Sequence, residues 1–549
     1  MIWIILFGIF LRFVACQKLP TVTIPNGNIQ GTLKTSYNGK TYMQFTGIPY
    51  ANPPIGNLRF EPPQVADSWN DTLIADKSYS CAQITHVPDP VGGLSLGSED
   101  CLYLSVKVPG DRIDATKNYN VLVYIHGGSF SFGSEASAGG KYIMDRELIL
   151  VSMNYRLGIF GFLSTEDATM PGNLGLKDQV LALEWVRDNI AYFGGNPNSV
   201  TINGLSAGAI SIHYHILSPL SKGLFHRAIA MSGSALRSLQ ATPRKKAMTL
   251  GKHFDCPLVP TREMISCLKR VPESELLEAT RLFRSWIFHP YAPFSPVVDK
   301  WSSEPFMQQH PIEIFKSKQF NHVPFLSSSV AEEGLYPGAE FLYNDSYLNE
   351  FNERWDKLGP VVLMYEGQIP EVESIETTQL IREHYFANEA ISNRTFGRLI
   401  QMFSDKFFDY ALGKSLRLHA ETTHFPVYSY RFNYTSEEVP SLSELFSATN
   451  QRLGISHGDD DIFIFGFEAL PEEKRTPRDE NMMNFFLDVY VEFMQTGKIL
   501  LDNWLPVNSN ETNTTNYLLI QGPELENMQM KSSKIGNPDF WNEITLETL

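Results

Sequence analysis

The chain has 549 residues, 43% of them hydrophobic and 19% charged, which suits a large packed core and excludes global disorder. Lys and Arg number 45 against 61 Asp and Glu, a net charge of -16, so neither a nucleic acid nor an anionic membrane is an expected partner. The length allows several domains, or one large domain with insertions.

The apolar run Ile2 to Leu11 is too short to cross a bilayer, which takes about 20 residues, and the small residues Ala15 and Cys16 follow shortly after. Residues 1–16 read as a secretory signal cleaved after Ala15 or Cys16. Only the α-amino group supplies charge ahead of the run, so a short signal anchor is the alternative. No later apolar run is long enough to serve as a membrane anchor, and no linker-like stretch divides the rest, so residues 17–549 read as one secreted domain. Without Cys16, the cysteines are Cys81, Cys101, Cys256 and Cys267. An even number in an exported chain suggests disulfides, and local pairing gives Cys81–Cys101 and Cys256–Cys267; buried free thiols are the alternative. Asn-x-Ser/Thr triplets at Asn70, Asn344, Asn393, Asn433, Asn510 and Asn513 are expected on the surface, several bearing glycan.

Further along, Val121 to Ile125 and Leu148 to Met153 read as buried strands. A run with helical periodicity follows from Gly175 to Val186, then strands at Val200 to Asn203 and Ala228 to Met231. Short apolar strands alternating with helices imply an α/β fold, a mostly parallel sheet covered on both faces. The charged stretch from Asp345 to Ile400 reads as an inserted helical region.

Chemistry-bearing residues sit at the ends of these strands. The first strand ends in His126-Gly127-Gly128-Ser129-Phe130, whose glycines let backbone N–H groups approach a ligand. The strand at Val200 runs into Gly204-Leu205-Ser206-Ala207-Gly208 and then a helix-like run to Leu217. A serine hydroxyl is a weak nucleophile, and a sharp turn flanked by glycines holds it where a base can reach; a Gly-rich turn with a capping serine is the plainer reading. A base and a carboxylate must then come from elsewhere. His457, in the loop Gly454 to Asp461, is one of 13 histidines and by itself reads as a solvated loop residue, while His213 and His215 fall on the helix after the serine. Glu332 and Glu333 both follow the strand-like Val323 to Leu326, and composition does not choose between them.

Together these segments resemble the type-B carboxylesterase family of α/β-hydrolases, over nearly the whole mature chain. The most specific piece is Ser98-Glu99-Asp100-Cys101-Leu102-Tyr103-Leu104-Ser105-Val106. Asn154-Tyr155-Arg156-Leu157-Gly158, Gly172-Asn173-x-Gly175-x-x-Asp178-Gln179 and Phe294-x-Pro296-Val297-Val298-Asp299 also match. The resemblance implies an α/β-hydrolase fold and ester hydrolysis through an acyl-enzyme, with a small-molecule ester as partner and no metal or cofactor. It implies Ser206 as nucleophile, Glu333 as the acid, His457 as the base, and the N–H groups of Gly128, Ser129 and Ala207 as the oxyanion hole. It also implies the two local disulfides, ion pairs Arg59–Glu99 and Arg156–Asp178, and Ser232 beside the triad. Ser129 stands where many relatives carry a third glycine. Leu205 replaces the commoner glutamate, and the glutamine typical of juvenile-hormone esterases. The Cys81–Cys101 loop lacks the choline-binding Trp of cholinesterases. Non-catalytic adhesion proteins, lipases and hormone esterases of the same fold are the alternatives. Acyl and alcohol pockets would draw on side chains such as Trp286, Phe288 and Phe294, which also read as ordinary core.

Overall fold

The computed structural model describes residues 19–85, 93–237, 239–344, 346–387, 389–447, 449, 451–466, 475–508 and 514–544. The signal reading of residues 1–16 and the sequons at Asn510 and Asn513 lie outside them.

The chain builds an eleven-stranded sheet. In chain order its strands are β1 (Thr32–Thr35), β2 (Thr41–Pro49), β3 (Tyr103–Pro109), β4 (Tyr119–Ile125), β5 (Ile149–Met153), β6 (Gly195–Leu205), β7 (Arg227–Met231), β8 (Phe325–Val330), β9 (Val427–Phe432), β10 (Thr515–Ile520) and β11 (Met528–Ser533). Their spatial order is β11-β10-β9-β8-β7-β6-β4-β5-β3-β2-β1. Pairing is parallel from β5 through β10 and antiparallel at both flanks.

The continuous apolar character of the inner strands follows from burial on both faces. In β4, Val121, Val123 and Ile125 join one core cluster, whereas Leu122 and Tyr124 join another. Helix α1 (Leu174–Asn189) covers the first-cluster face through Leu176, Leu183 and Val186. Helix α2 (Ala207–Leu217) packs in the same cluster through Ile212 and Ile216. A later helix, α5 (Pro477–Thr496), covers the other face through Met482, Phe486 and Tyr490. The insertion is helical as expected and includes α3 (Phe396–Ser404). It forms its own cluster around Phe351, Trp355 and Phe403. A π-helical turn, Asp405–Asp409, joins α3 to α4 (Tyr410–Thr422).

Family-motif residues tie these parts together. Arg156 grips Asp178 through Nη2 and Nε at 2.6 and 2.8 Å, and Arg59 pairs with Glu99. Asn173 exchanges two hydrogen bonds with the backbone of Val297. Cys81–Cys101 and Cys256–Cys267 are disulfides. Asn70, Asn344 and Asn393 are exposed and Asn433 is half-buried. Among the described residues, no helix is long and apolar enough to cross a membrane.

Candidate active site

Parallel strands send their carboxyl ends to one edge of the sheet. The chain leaves β4 toward β5 on one side and leaves its neighbour β6 toward β7 on the other, and this divergence opens a crevice where ligands bind in open α/β sheets. Ser206 stands at the end of β6 with φ 60° and ψ -120°, a conformation rare for a residue with a side chain. Two backbone bonds hold this turn: Ser206 N–H donates to Met231 O and Ser206 O accepts from Ile210 N–H. The turn closes because Gly208 lies against β4, where a Cβ would come 2.0 Å from Ile125 O.

Gly127 abuts Ser206, and a Cβ there would be 3.1 Å from Ser206 Cβ. The loop after it bends through left-handed backbone at Gly128, Ser129 and Phe130, with φ 102°, 55° and 57°. Gly128 O accepts from Ser131 and Phe132, and Tyr155 Oη donates to His126 O. Among the described residues, the N–H groups of Gly128, Ser129 and Ala207 have no protein acceptor. Ala207 is the first residue of α2, where N–H groups have no partner within the helix.

Beyond β8, the two glutamates part company. Glu333 Oε2 accepts from His457 Nδ1 at 2.6 Å, while Oε1 accepts from Ser232 Oγ at 2.6 Å and Val330 N–H at 2.8 Å. Glu332 instead binds the loop that carries His457. Its Oε2 accepts from Ile455 N–H at 2.8 Å, and its own N–H donates to Ile455 O. Leu205 meets that loop on the other side, packing on Gly458 next to His457. The structure thus brings Ser206, Glu333, His457 and the Gly128–Ser129 turn to one edge, and His213 and His215 into the core instead. His457 Nε2 is buried and unbonded, and no hydrogen bond joins it to Ser206. Such contacts are often open without substrate.

The His457 loop is not solvated, contrary to the plain reading of its polar sequence. His457 is 4% exposed, and Asp459, Asp460 and Asp461 are all buried. Asp459 accepts from the N–H groups of Ser456 and Leu442 and from Ser441 Oγ, which lets a carboxyl sit inside. Asp460 accepts from Tyr430 and Ser328, and burial, then the nearby Glu333 charge, pushes its carboxyl up to about 6. Sequence reasoning missed these carboxyls, and also Phe408 and Tyr336, whose rings lie 4.5 and 5.3 Å from the His457 imidazole. Of the suggested pocket residues, Trp286 stacks on Phe351 in the helical insertion and Phe294 is fully buried in the main core.

The fold and this edge define an α/β-hydrolase. The chain belongs to the carboxylesterase family, whose model matches residues 18–540. It is 39% identical to a carboxylic ester hydrolase of Bombus ignitus, over 96% of this chain and 94% of that protein. It is 38% identical to venom carboxylesterase-6 of Apis mellifera, over 99% and 97%. The crystal structure of juvenile hormone esterase from Manduca sexta, with OTFP covalently attached, superposes with a TM-score of 0.82 at 25% identity, covering 96% of this chain and 99% of that one.

Proposed function

We propose that the protein is an exported serine carboxylesterase that hydrolyses small carboxylic esters through an acyl-enzyme on Ser206. The observation that carries this is the Glu333–His457 bond of 2.6 Å, which leaves Nε2 of a buried imidazole unbonded in a loop whose Gly458 packs against Leu205, next to Ser206. His457 Nε2 takes the Ser206 proton as Oγ attacks the ester carbonyl. The carbonyl oxygen becomes negative against the N–H groups of Gly128, Ser129 and Ala207, each such donor contributing about 3 kcal/mol. The imidazolium then protonates the departing alkoxide, and water repeats the steps to release the acid. Glu333 holds Nδ1–H through its 2.6 Å bond and so fixes the imidazole and stabilises the imidazolium.

Export is supported by the leader-like residues 1–16 ahead of the domain at 17–549, by two disulfides, and by exposed sequons at Asn70, Asn344 and Asn393. The test pairs two measurements. Short 4-nitrophenyl esters are assayed with wild type and Ser206→Ala, and an organophosphate adduct on wild type is mapped by peptide mass. Loss of turnover in the variant and label on the Ser206 peptide are expected. Full activity in the variant, or label elsewhere, removes the assignment.

A further inference from the structure

Arg237 lies five residues past Ser232, the serine bonded to Glu333. Its side chain leans on the π-helical turn, with the guanidinium carbon 5.4 Å from the Phe407 ring centre and 5.8 Å from that of Phe408. The Phe408 ring also lies 4.5 Å from His457. The cation is therefore no farther from the imidazole than those two separations laid end to end. Tyr336 packs on the same imidazole, its ring 5.3 Å from that of His457. Arg237 thus shares the Phe408 ring with the imidazole of His457.

What it lacks is a counter-ion. Arg59, Arg156 and Arg431 each hold a carboxylate. Arg284, the other cation acting on Tyr336, has Glu340 and Glu278 in its field. Arg237 has no carboxylate among the described residues. Its one hydrogen bond runs to the thioether of Met364 at 3.8 Å, and the ionisable groups around it are the phenols of Tyr336 and Tyr214. A guanidinium carries five donors and stays charged even when burial disfavours it. Half-buried against aromatic rings, its other donors have no protein acceptor among the described residues, yet none of its nitrogens is both sealed from solvent and unbonded, so a ligand can reach them. The partner that fits its planar fork is a carboxylate, bound through two parallel hydrogen bonds.

We propose that Arg237 is a specificity residue that selects esters carrying a second, anionic carboxylate a few bonds from the ester group. This rests on Ser206 being the nucleophile. The carboxylate could sit on the acyl or the alcohol side, and two arms separate them. In the acyl arm, kcat/KM is compared for 4-nitrophenyl hemiglutarate and 4-nitrophenyl valerate. In the alcohol arm, 4-carboxyphenyl butyrate is compared with 4-carbamoylphenyl butyrate. Each anionic-to-neutral ratio is measured in wild type and in Arg237→Gln. A tenfold or greater fall of the ratio in either arm, about 1.4 kcal/mol, is expected; a smaller change in both overturns the proposal. A binding measurement on wild type covers a variant that does not fold and a protein that turns over no ester. Glutaranilic acid should bind at least tenfold tighter than valeranilide, or 4-butyramidobenzoate at least tenfold tighter than 4-butyramidobenzamide, and equal binding within both pairs overturns the proposal. If no ester is cleaved, the esterase reading fails, while the binding measurement still decides the role of the cation.

Discussion

Replacing Glu333 by Gln alters one atom type at a site where each oxygen has an assigned partner. Oε1 receives Ser232 Oγ and Val330 N–H, so the amide oxygen of Gln stays on that side and its NH2 group faces His457. An NH2 group cannot accept from Nδ1–H. The imidazole must then turn Nδ1 into an acceptor and carry its proton on Nε2, the nitrogen that has to receive one from serine. The variant also loses the negative charge that offsets the imidazolium. With Nδ1 and Oε2 2.6 Å apart, the charge centres are about 4 Å apart. At an effective dielectric constant of about 20 their attraction is ~4 kcal/mol, which corresponds to about a thousandfold in rate. The wrong tautomer adds to this loss. The assay is kcat for 4-nitrophenyl butyrate, with thermal unfolding of the same preparation to show that the fold survives. A fall of a thousandfold or more in kcat, with little change in KM, is expected. A folded variant within tenfold of wild type would refute the role given to Glu333.

Arg156→Ala should destabilise the protein by 3–5 kcal/mol, read by urea unfolding, because Asp178 is left fully buried with only the Arg156 backbone N–H among its bonds to that residue; a loss below about 1 kcal/mol would contradict this. Gly128→Ala places a Cβ 2.0 Å from Phe132 O at a φ of 102°, so the turn must move and its N–H leave the position proposed for an oxyanion donor. A fall in kcat of about 100- to 1,000-fold is expected in steady-state assays, and a loss under threefold would count against the donor. Asp460 binds its proton up to about pH 6 in the folded chain, against 3.8 for an ordinary aspartate, so unfolding releases a proton in between and stability drops as pH rises across that window. Asp460→Asn removes this slope and should gain about 3 kcal/mol on wild type between pH 4 and pH 7. Parallel stability curves from denaturant titrations at the two pH values would rule the mechanism out.

Local patterns in this chain were legible because the structures they specify are local. The run from Thr201 to Leu217 spells strand, turn and helix without a break, and β6, the Ser206 turn and α2 follow it. The buried strands at Val121, Leu148 and Ala228 could be read from apolar, β-branched content, since covering both faces demands it. The choice between Glu332 and Glu333 was not legible from composition. Both occupy one short turn, and only their partners, Ile455 and His457, tell them apart. The run Asp459 to Asp461 looked solvated because no sequence rule supplies the donors that make its burial tolerable. Those donors come from Ser441, Tyr430, Ser328 and Tyr124, which stand on other segments. Phe408 reaches His457 from a π-helical turn, and a periodicity of 3.6 residues gives no warning of it.

The same contrast explains why the proposed reacting groups can be so far apart in sequence. Glu333 and His457 are 124 residues apart, and Ser232 and Glu333 101. Parallel pairing puts the carboxyl ends of β4, β6, β7 and β8 side by side whatever the length of the crossovers between them, so the Gly128 turn, Ser206, Ser232 and Glu333 are positioned by the sheet itself. His457 is not, because its loop leaves the sheet after β9 and must be fastened separately. Glu332 holds that loop at Ile455, Asp459 holds it at Ser456 and Leu442, and Leu205 packs on it at Gly458. The placement of the imidazole therefore depends on side chains that fasten its loop, not on the sheet. These contacts are also where a sequence pattern carries least information, because each one joins residues from separate segments.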